Sequence, residues 1–148
     1  ENSLPFLGTC GGFQHAVIEY ARNVMGWDDA AHAETDSEGR MVIAPLSCSL
    51  VEKTDTIELR TNTLIARAYG RDEITEGYHC NYGVSEEFAA ALQDQPLRVT
   101  GWDEEGEIRA VELVTHPFFV ATLFQHERNA LEGRPAPLVQ AFLYAAAN

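Results

Sequence analysis

Basic residues are scarce in this chain: ten Lys plus Arg face 23 Asp plus Glu, for a formal net charge of −13. That balance repels phosphate backbones and anionic lipid surfaces, so neither nucleic acid nor a membrane is an expected partner. The acidic residues are dispersed, as in Asp28-Asp29, Glu86-Glu87 and Asp103-Glu104-Glu105, which reads as a solvated surface rather than an acidic tail. Long apolar runs are missing too. Stretches such as Phe118 to Phe124 fall far short of the ~20 residues needed to span a bilayer. Cysteine is limited to Cys10, Cys48 and Cys80, odd in number and widely spaced, which does not suggest the disulfide framework of a secreted domain. A reducing cytoplasm is the expected compartment. No Cys-x-x-Cys pair and no His-x-x-x-His spacing supports a zinc site, and no motif implies a metal or organic cofactor. Glu1-Asn2-Ser3 lacks an initiator methionine, a basic n-region and an apolar h-region, so no secretory signal is expected and the sequence reads as a fragment.

What is present suits one globular domain over residues 1–148: 148 residues, 45% of them hydrophobic. The most informative stretch is Phe6-Leu7-Gly8-Thr9-Cys10-Gly11-Gly12-Phe13-Gln14, an apolar strand running through glycines on both sides of a cysteine into a helix. A Gly-x-nucleophile-x-Gly turn displays the central side chain at the top of a strand, where flanking glycines tolerate the close backbone crossing. It also aims the Gly11 N–H toward negative charge developing beside the sulfur. A helix N-terminus lowers a thiol pKa, which makes Cys10 a candidate nucleophile. The alternative is a small buried residue at a strand end.

Periodicity predicts strands over Leu4–Gly8 and Met41–Leu46 and a helix over Phe13–Met25 that stops at Gly26, with residues 28 to 40 as a surface loop. Asp55–Arg60, Thr63–Tyr69 and Glu73–Tyr78 alternate as half-exposed strands do, and this β-rich middle is expected to form a lid or hairpin layer beside the pocket. Ser85 opens a short helix ending near Leu92. Leu97–Trp102 and Glu107–Leu113 make a hairpin around Asp103-Glu104-Glu105-Gly106. Phe118–Phe124, apolar on both faces, reads as a central strand, and a closing helix from Pro137 should bury Leu138, Phe142 and Leu143. The fold class is α/β, a three-layer sandwich with a mostly parallel central sheet covered by helices.

The cysteine turn resembles the nucleophile elbow of class I glutamine amidotransferases, and Ala16-Val17-Ile18-Glu19-Tyr20-Ala21-Arg22-Asn23-Val24 is similar to the helix that follows it in the glutaminase domain of CTP synthase. His116-Pro117-Phe118-Phe119-Val120 resembles that family's strand leading to its catalytic histidine and glutamate, and Pro137 to Ala146 its closing helix. The resemblance covers the second half of such a domain. It implies a flavodoxin-like sheet incomplete at the N-terminus, an absent segment carrying the first strands and a second oxyanion donor, and a synthetase partner that consumes ammonia. A homo-oligomer is the other expected assembly.

Residue by residue, the resemblance puts Gln125 at the histidine position, His126 at a proline and Glu127 at the glutamate. Glutamine cannot accept a proton from Cys10. His126 either substitutes through a shifted strand end or is an exposed loop histidine, and Glu127 either accepts hydrogen bonds near the site or is solvated. The family's basic, substrate-gripping segment is replaced by Glu76-Gly77-Tyr78-His79-Cys80-Asn81-Tyr82-Gly83, without the arginines that would hold a carboxylate. By alignment His79, Cys80 and Asn81 should face the Cys10 pocket. Together with the Phe-Gln-x-Glu ending, this segment resembles an offshoot described as CTP synthase C-terminal region-related (seleno)protein. Cys80 is then a core residue or a second thiol close enough to Cys10 for a reversible disulfide, which needs Cα atoms within ~7 Å. His79 is a candidate to tune either thiol, Gln14 matches the family's glutamine in the first helical turn, and Cys48 reads as structural.

Three functions compete. The first is amidotransferase-like hydrolysis of a small amide or amino acid, with Cys10 attacking and Gly11 stabilising the oxyanion. The second is thiol redox or other cysteine-dependent chemistry using Cys10 and Cys80. The third is a non-catalytic binding domain that kept the fold after losing its base.

Overall fold

The computed structural model describes residues 3–148. Its main sheet has six strands in the order β1-β9-β8-β7-β4-β5: Phe6–Thr9 (β1), Lys53–Leu59 (β4), Glu73–Tyr78 (β5), Leu97–Trp102 (β7), Ile108–Leu113 (β8) and Phe119–Thr122 (β9). A three-stranded sheet holds Ala30–His32 (β2), Arg40–Pro45 (β3) and Tyr82–Val84 (β6) in the order β2-β3-β6. The helices are Gly11–Asn23 (α1), Leu64–Tyr69 (α2), Glu86–Ala91 (α3) and Pro137–Ala147 (α4), with a 3₁₀ helix over His126–Glu132.

The strand directions correct the expected mostly parallel order. In the main sheet β1 and β9 run parallel, while β9–β8, β8–β7, β7–β4 and β4–β5 are antiparallel. The connections decide this: short links such as Asp103 to Glu107 can only return the chain antiparallel, whereas β1 and β9 are separated by most of the chain. The strand-like middle also divides. Asp55–Arg60 and Glu73–Tyr78 extend the main sheet as β4 and β5, whereas Thr63–Tyr69, expected as a strand, forms helix α2. Its alternation was outweighed by capping: Thr63 accepts the Ala66 N–H, Gly70 closes the helix at φ 69°, and the buried Glu112 carboxylate takes the N–H groups of Leu64 and Ile65 at 2.9 and 3.1 Å.

β9 is central as expected, lying between β1 and β8 with Val120, Ala121 and Thr122 buried. Helix α1 turns Phe13, Val17, Ile18, Tyr20 and Ala21 inward, packs on β1 and β9, and touches β2 and β3 on the small sheet. The core gathers Phe13, Ile43, Ile57, Phe88, Leu97, Leu123, Phe124 and Leu138. Leu143 departs from expectation by standing 59% exposed, because the inner face of α4 follows Leu138, Ala141, Phe142 and Ala145 at helical spacing. Residues 28 to 40 contribute the fully buried strand β2 rather than a loop.

Candidate active site

Cys10 sits between β1 and α1 with φ 49° and ψ −104°, a left-handed conformation that costs a non-glycine residue about 1–3 kcal/mol. Two bonds over-determine it: the Cys10 N–H donates to the Thr122 carbonyl on β9 at 2.9 Å, and the Cys10 carbonyl accepts from the Gln14 N–H at 3.0 Å. The close crossing falls on Gly8 alone, where a Cβ would lie 3.0 Å from the Gly12 carbonyl carbon and the Phe6 ring. Gly11 and Gly12 have open space around them, so their glycine character is not a steric demand. Cys10 is half-buried and retains a solvent-facing surface.

Four groups surround its sulfur. Its sulfur lies 3.8 Å from the His79 carbonyl oxygen, and Cys80, the Gly11 N–H and the Gln125 amide are near enough to shift its titration. Gln125 thus lies beside Cys10, and its oxygen accepts from Arg128 Nη1 at 3.5 Å. His126 fits neither expected reading. It is 1% exposed, its ring meets Phe124 edge-on, and neither ring nitrogen has a hydrogen-bond partner among the described residues. It is thus a core residue rather than an exposed loop histidine or a partner of Cys10, and burial pushes its pKa down. A single step along the chain past Gln125 swings the side chain inward as the strand gives way to the 3₁₀ helix. Glu127 stays exposed and accepts a 3.0 Å bond from Thr9 Oγ1.

Of the three residues expected to face the pocket from the 79–81 segment, Cys80 alone brings its side chain to Cys10. His79 is turned to Glu52, with Nδ1 3.0 Å from Oε1, and Asn81 Oδ1 accepts from Ser49 Oγ at 2.6 Å. Arg128 closes the outer network by binding Glu52 at 3.1 Å, and these two partners hold the Glu52 carboxyl below its usual range, His79 contributing most. Glu52, Arg128, Gln125 and Gly77 also line a cavity of about 140 Å³.

Cys80 is buried and well served with donors. The Gln14 amide reaches its sulfur at 3.3 Å, the backbone N–H groups of Tyr82 and Asn81 point at it, and Arg109 contributes positive charge. The thiol of Cys10 is its strongest partner. Together they bring Cys80 down to about 6 against the opposing effect of burial. Cys10 is pushed up from the ordinary thiol range, chiefly because it donates to Cys80, then by burial and by the Cys80 charge. The two sulfurs titrate as a coupled pair, Cys80 shifted down and Cys10 shifted up, and Cys80 Sγ also lies 3.1 Å from the Tyr82 carbonyl oxygen, to which its S–H can donate.

Sequence reasoning missed His32. Its Nε2 bonds Gln14 Oε1 at 3.0 Å, and it lies on β2, in a stretch whose polar composition reads as loop. Thr9, Glu52 and Arg128 carried no motif either; the one available signal was Thr9's place directly before the cysteine. Among the described residues, no three His, Cys, Asp or Glu side chains converge as a metal ion would require, and no helix is long and apolar enough to cross a membrane.

No family model matches the chain. It is 35% identical to a CTP synthase of Methanopyrus kandleri over 158 aligned residues, which cover 99% of this chain and 30% of that protein. Against a CTP synthase of Methanosphaerula palustris it is 37% identical, covering 98% of this chain and 29% of the relative. The chain therefore spans about 30% of the length of the curated relatives it matches. In structure it is similar to the Trypanosoma brucei CTP synthase glutaminase domain with bound acivicin, at a TM-score of 0.90 and 26% identity over 99% of this chain and 61% of that one. A GMP synthase-type protein of Thermoplasma acidophilum, at a TM-score of 0.63 and 13% identity over 97% of this chain and 57% of its own, shares the fold. Sequence and architecture agree: over nearly its whole length the chain matches a class I glutamine amidotransferase domain of the CTP synthase glutaminase type.

Proposed function

We propose that this domain is a cysteine-dependent enzyme in which Cys80 takes the place of the histidine as the partner of Cys10, and that the pair cycles between dithiol and disulfide. The supporting observation is the contact between the two thiols at the elbow, with a glutamine where the family's base would stand. With a hydroperoxide as oxidant, Cys10 passes its proton to Cys80 as its sulfur attacks the terminal oxygen. The S–O bond forms, the O–O bond breaks, and the departing alkoxide takes the proton from Cys80 and leaves as an alcohol. The Cys80 thiolate then attacks the Cys10 sulfenic sulfur. The S–S bond forms, and the hydroxide released picks up a proton from solvent to become water. Two equivalents of a small thiol reduce the disulfide and leave as their own disulfide. A reducing compartment such as the cytoplasm would return the pair to this starting state.

The test treats the full-length protein with a hydroperoxide and maps modified cysteines by mass spectrometry. A Cys10–Cys80 disulfide is expected, with Cys80→Ser leaving a trappable sulfenic acid on Cys10. Two thiols that stay unmodified would overturn the proposal.

A second reading, acyl transfer, is favoured by the elbow itself. The strained Cys10 and the donor at Gly11 suit a tetrahedral oxyanion, and the structurally similar Trypanosoma brucei domain binds acivicin. Here Cys80 accepts the Cys10 proton and returns it to the leaving amine. The substrate is a small amide or amino acid, and a synthetase partner or domain uses the ammonia. Labelling of Cys10 by acivicin together with glutamate release from glutamine supports this reading; no turnover of glutamine excludes it.

A further inference from the structure

A chain of hydrogen bonds leads from β2 to the thiol pair, and its direction is uniquely determined. The Glu34 N–H donates to His32 Nδ1 at 3.1 Å, so Nδ1 is an acceptor and the proton of the neutral ring sits on Nε2. Nε2–H then donates to Gln14 Oε1 at 3.0 Å. That orientation is fixed independently from the far end, because Gln14 Nε2 donates to the Tyr82 carbonyl at 3.2 Å and so must be the amide nitrogen. The same nitrogen reaches Cys80 Sγ at 3.3 Å. The His32 and Gln14 donors both point toward the sulfur, whose own S–H can donate to the same Tyr82 carbonyl at 3.1 Å. Aligned donors of this kind polarise one another, and their effect is greatest where water is excluded: His32, Gln14 and Cys80 are each at most 9% exposed.

We propose that His32 is a positioning residue for the thiol pair, holding the Gln14 amide so that its N–H aims at the Cys80 sulfur. This rests on the reading of Cys10 and Cys80 as the working pair. Burial keeps His32 itself neutral, with the Glu34 charge opposing and His15 reinforcing that effect, so the ring acts as a neutral donor and not as a cation. The charged and titratable groups acting on Cys80 are Cys10 and Arg109, and neither lies in the His32 series. A glutamine in place of His32 still offers an N–H to Gln14; a leucine fills the space and offers none.

The experiment follows the first thiolate of the pair by its ultraviolet absorbance in the full-length protein, with the Cys10→Ser, Cys80→Ser double variant subtracted to remove Cys48 and the tyrosines. His32→Leu is expected to raise the midpoint of this thiolate by at least about one pH unit, a roughly tenfold loss of thiolate below the midpoint, and His32→Gln to bring it back. A folded His32→Leu protein with the wild-type midpoint would overturn the proposal. Should that variant fail to fold, Gln14→Leu is read instead: the same upward shift supports the relay, and an unmoved midpoint sinks it. The peroxide experiment stands apart. A shifted midpoint without any disulfide rejects the redox function and leaves the positioning role intact.

Discussion

Thr9 Oγ1 donates a 3.0 Å hydrogen bond to Glu127 Oε1, tying the residue before Cys10 to the carboxylate two positions after Gln125. With no imidazole to orient, that carboxylate holds the strand end against the elbow. A base placed at position 125 would find both neighbours in place. Gln125→His is therefore expected to raise the rate of Cys10 alkylation at pH 7 about tenfold, because a thiol beside an imidazole is more readily deprotonated. Site-resolved iodoacetamide labelling measures this, and an unchanged rate would show that position 125 does not control the thiol.

The left-handed backbone of Cys10 makes a thermodynamic prediction. Glycine normally destabilises a protein relative to alanine, but at φ 49° the order should invert. Cys10→Gly is expected to be more stable than Cys10→Ala by about 1 kcal/mol, or roughly 2–4 °C in Tm for a domain of this size. Parallel thermal melts decide it; alanine melting higher would mean that the elbow is unstrained.

Glu112 lies on β8 with its carboxylate under the first turn of α2, satisfying two backbone N–H groups. Glu112→Ala leaves both donors buried without a partner and should cost about 2–3 kcal/mol in urea unfolding, whereas Glu112→Gln keeps one acceptor and should cost about half as much. Equal losses would argue that the negative charge, rather than the accepting oxygens, holds the helix.

His126 predicts a pH effect. Its pKa is lowered from 6.5 by burial, so below about pH 6.5 the unfolded chain binds a proton that the folded chain does not, and stability falls with pH through that window. Glu76 and Glu112 are raised by burial and act in the opposite sense, so the comparison must be made against a variant. His126→Leu should gain about 1 kcal/mol at pH 7.5 by removing two unpaired nitrogens, and its advantage over wild type should grow between pH 7 and pH 5. An advantage independent of pH would refute the neutral, buried assignment.

Much of the framework was legible from residues alone where one strong local signal dominated. The elbow was marked by its glycines, the Ser85 cap by its hydroxyl, the turn at Asp103 to Gly106 by its composition, and β9 by apolar residues on both faces. Helix α2 was not, because its start depends on Glu112, 47 and 48 residues away, and a window of neighbours contains nothing of that carboxylate. His32 was hidden for a similar reason: polar flanks imply exposure until β3 and α1 cover the strand.

The linear order of residues determined that a cysteine would stand at a turn between strand and helix, since that follows from neighbours a few bonds apart. Tertiary structure alone decided which groups surround the sulfur. Cys80 arrives from 70 positions along the chain, Gln125 turns toward Cys10 while His126 turns into the core, and His32 reaches Cys80 through Gln14. The physical reason is that proton sharing and desolvation act over a few ångströms of space, and separation along the chain does not set that distance.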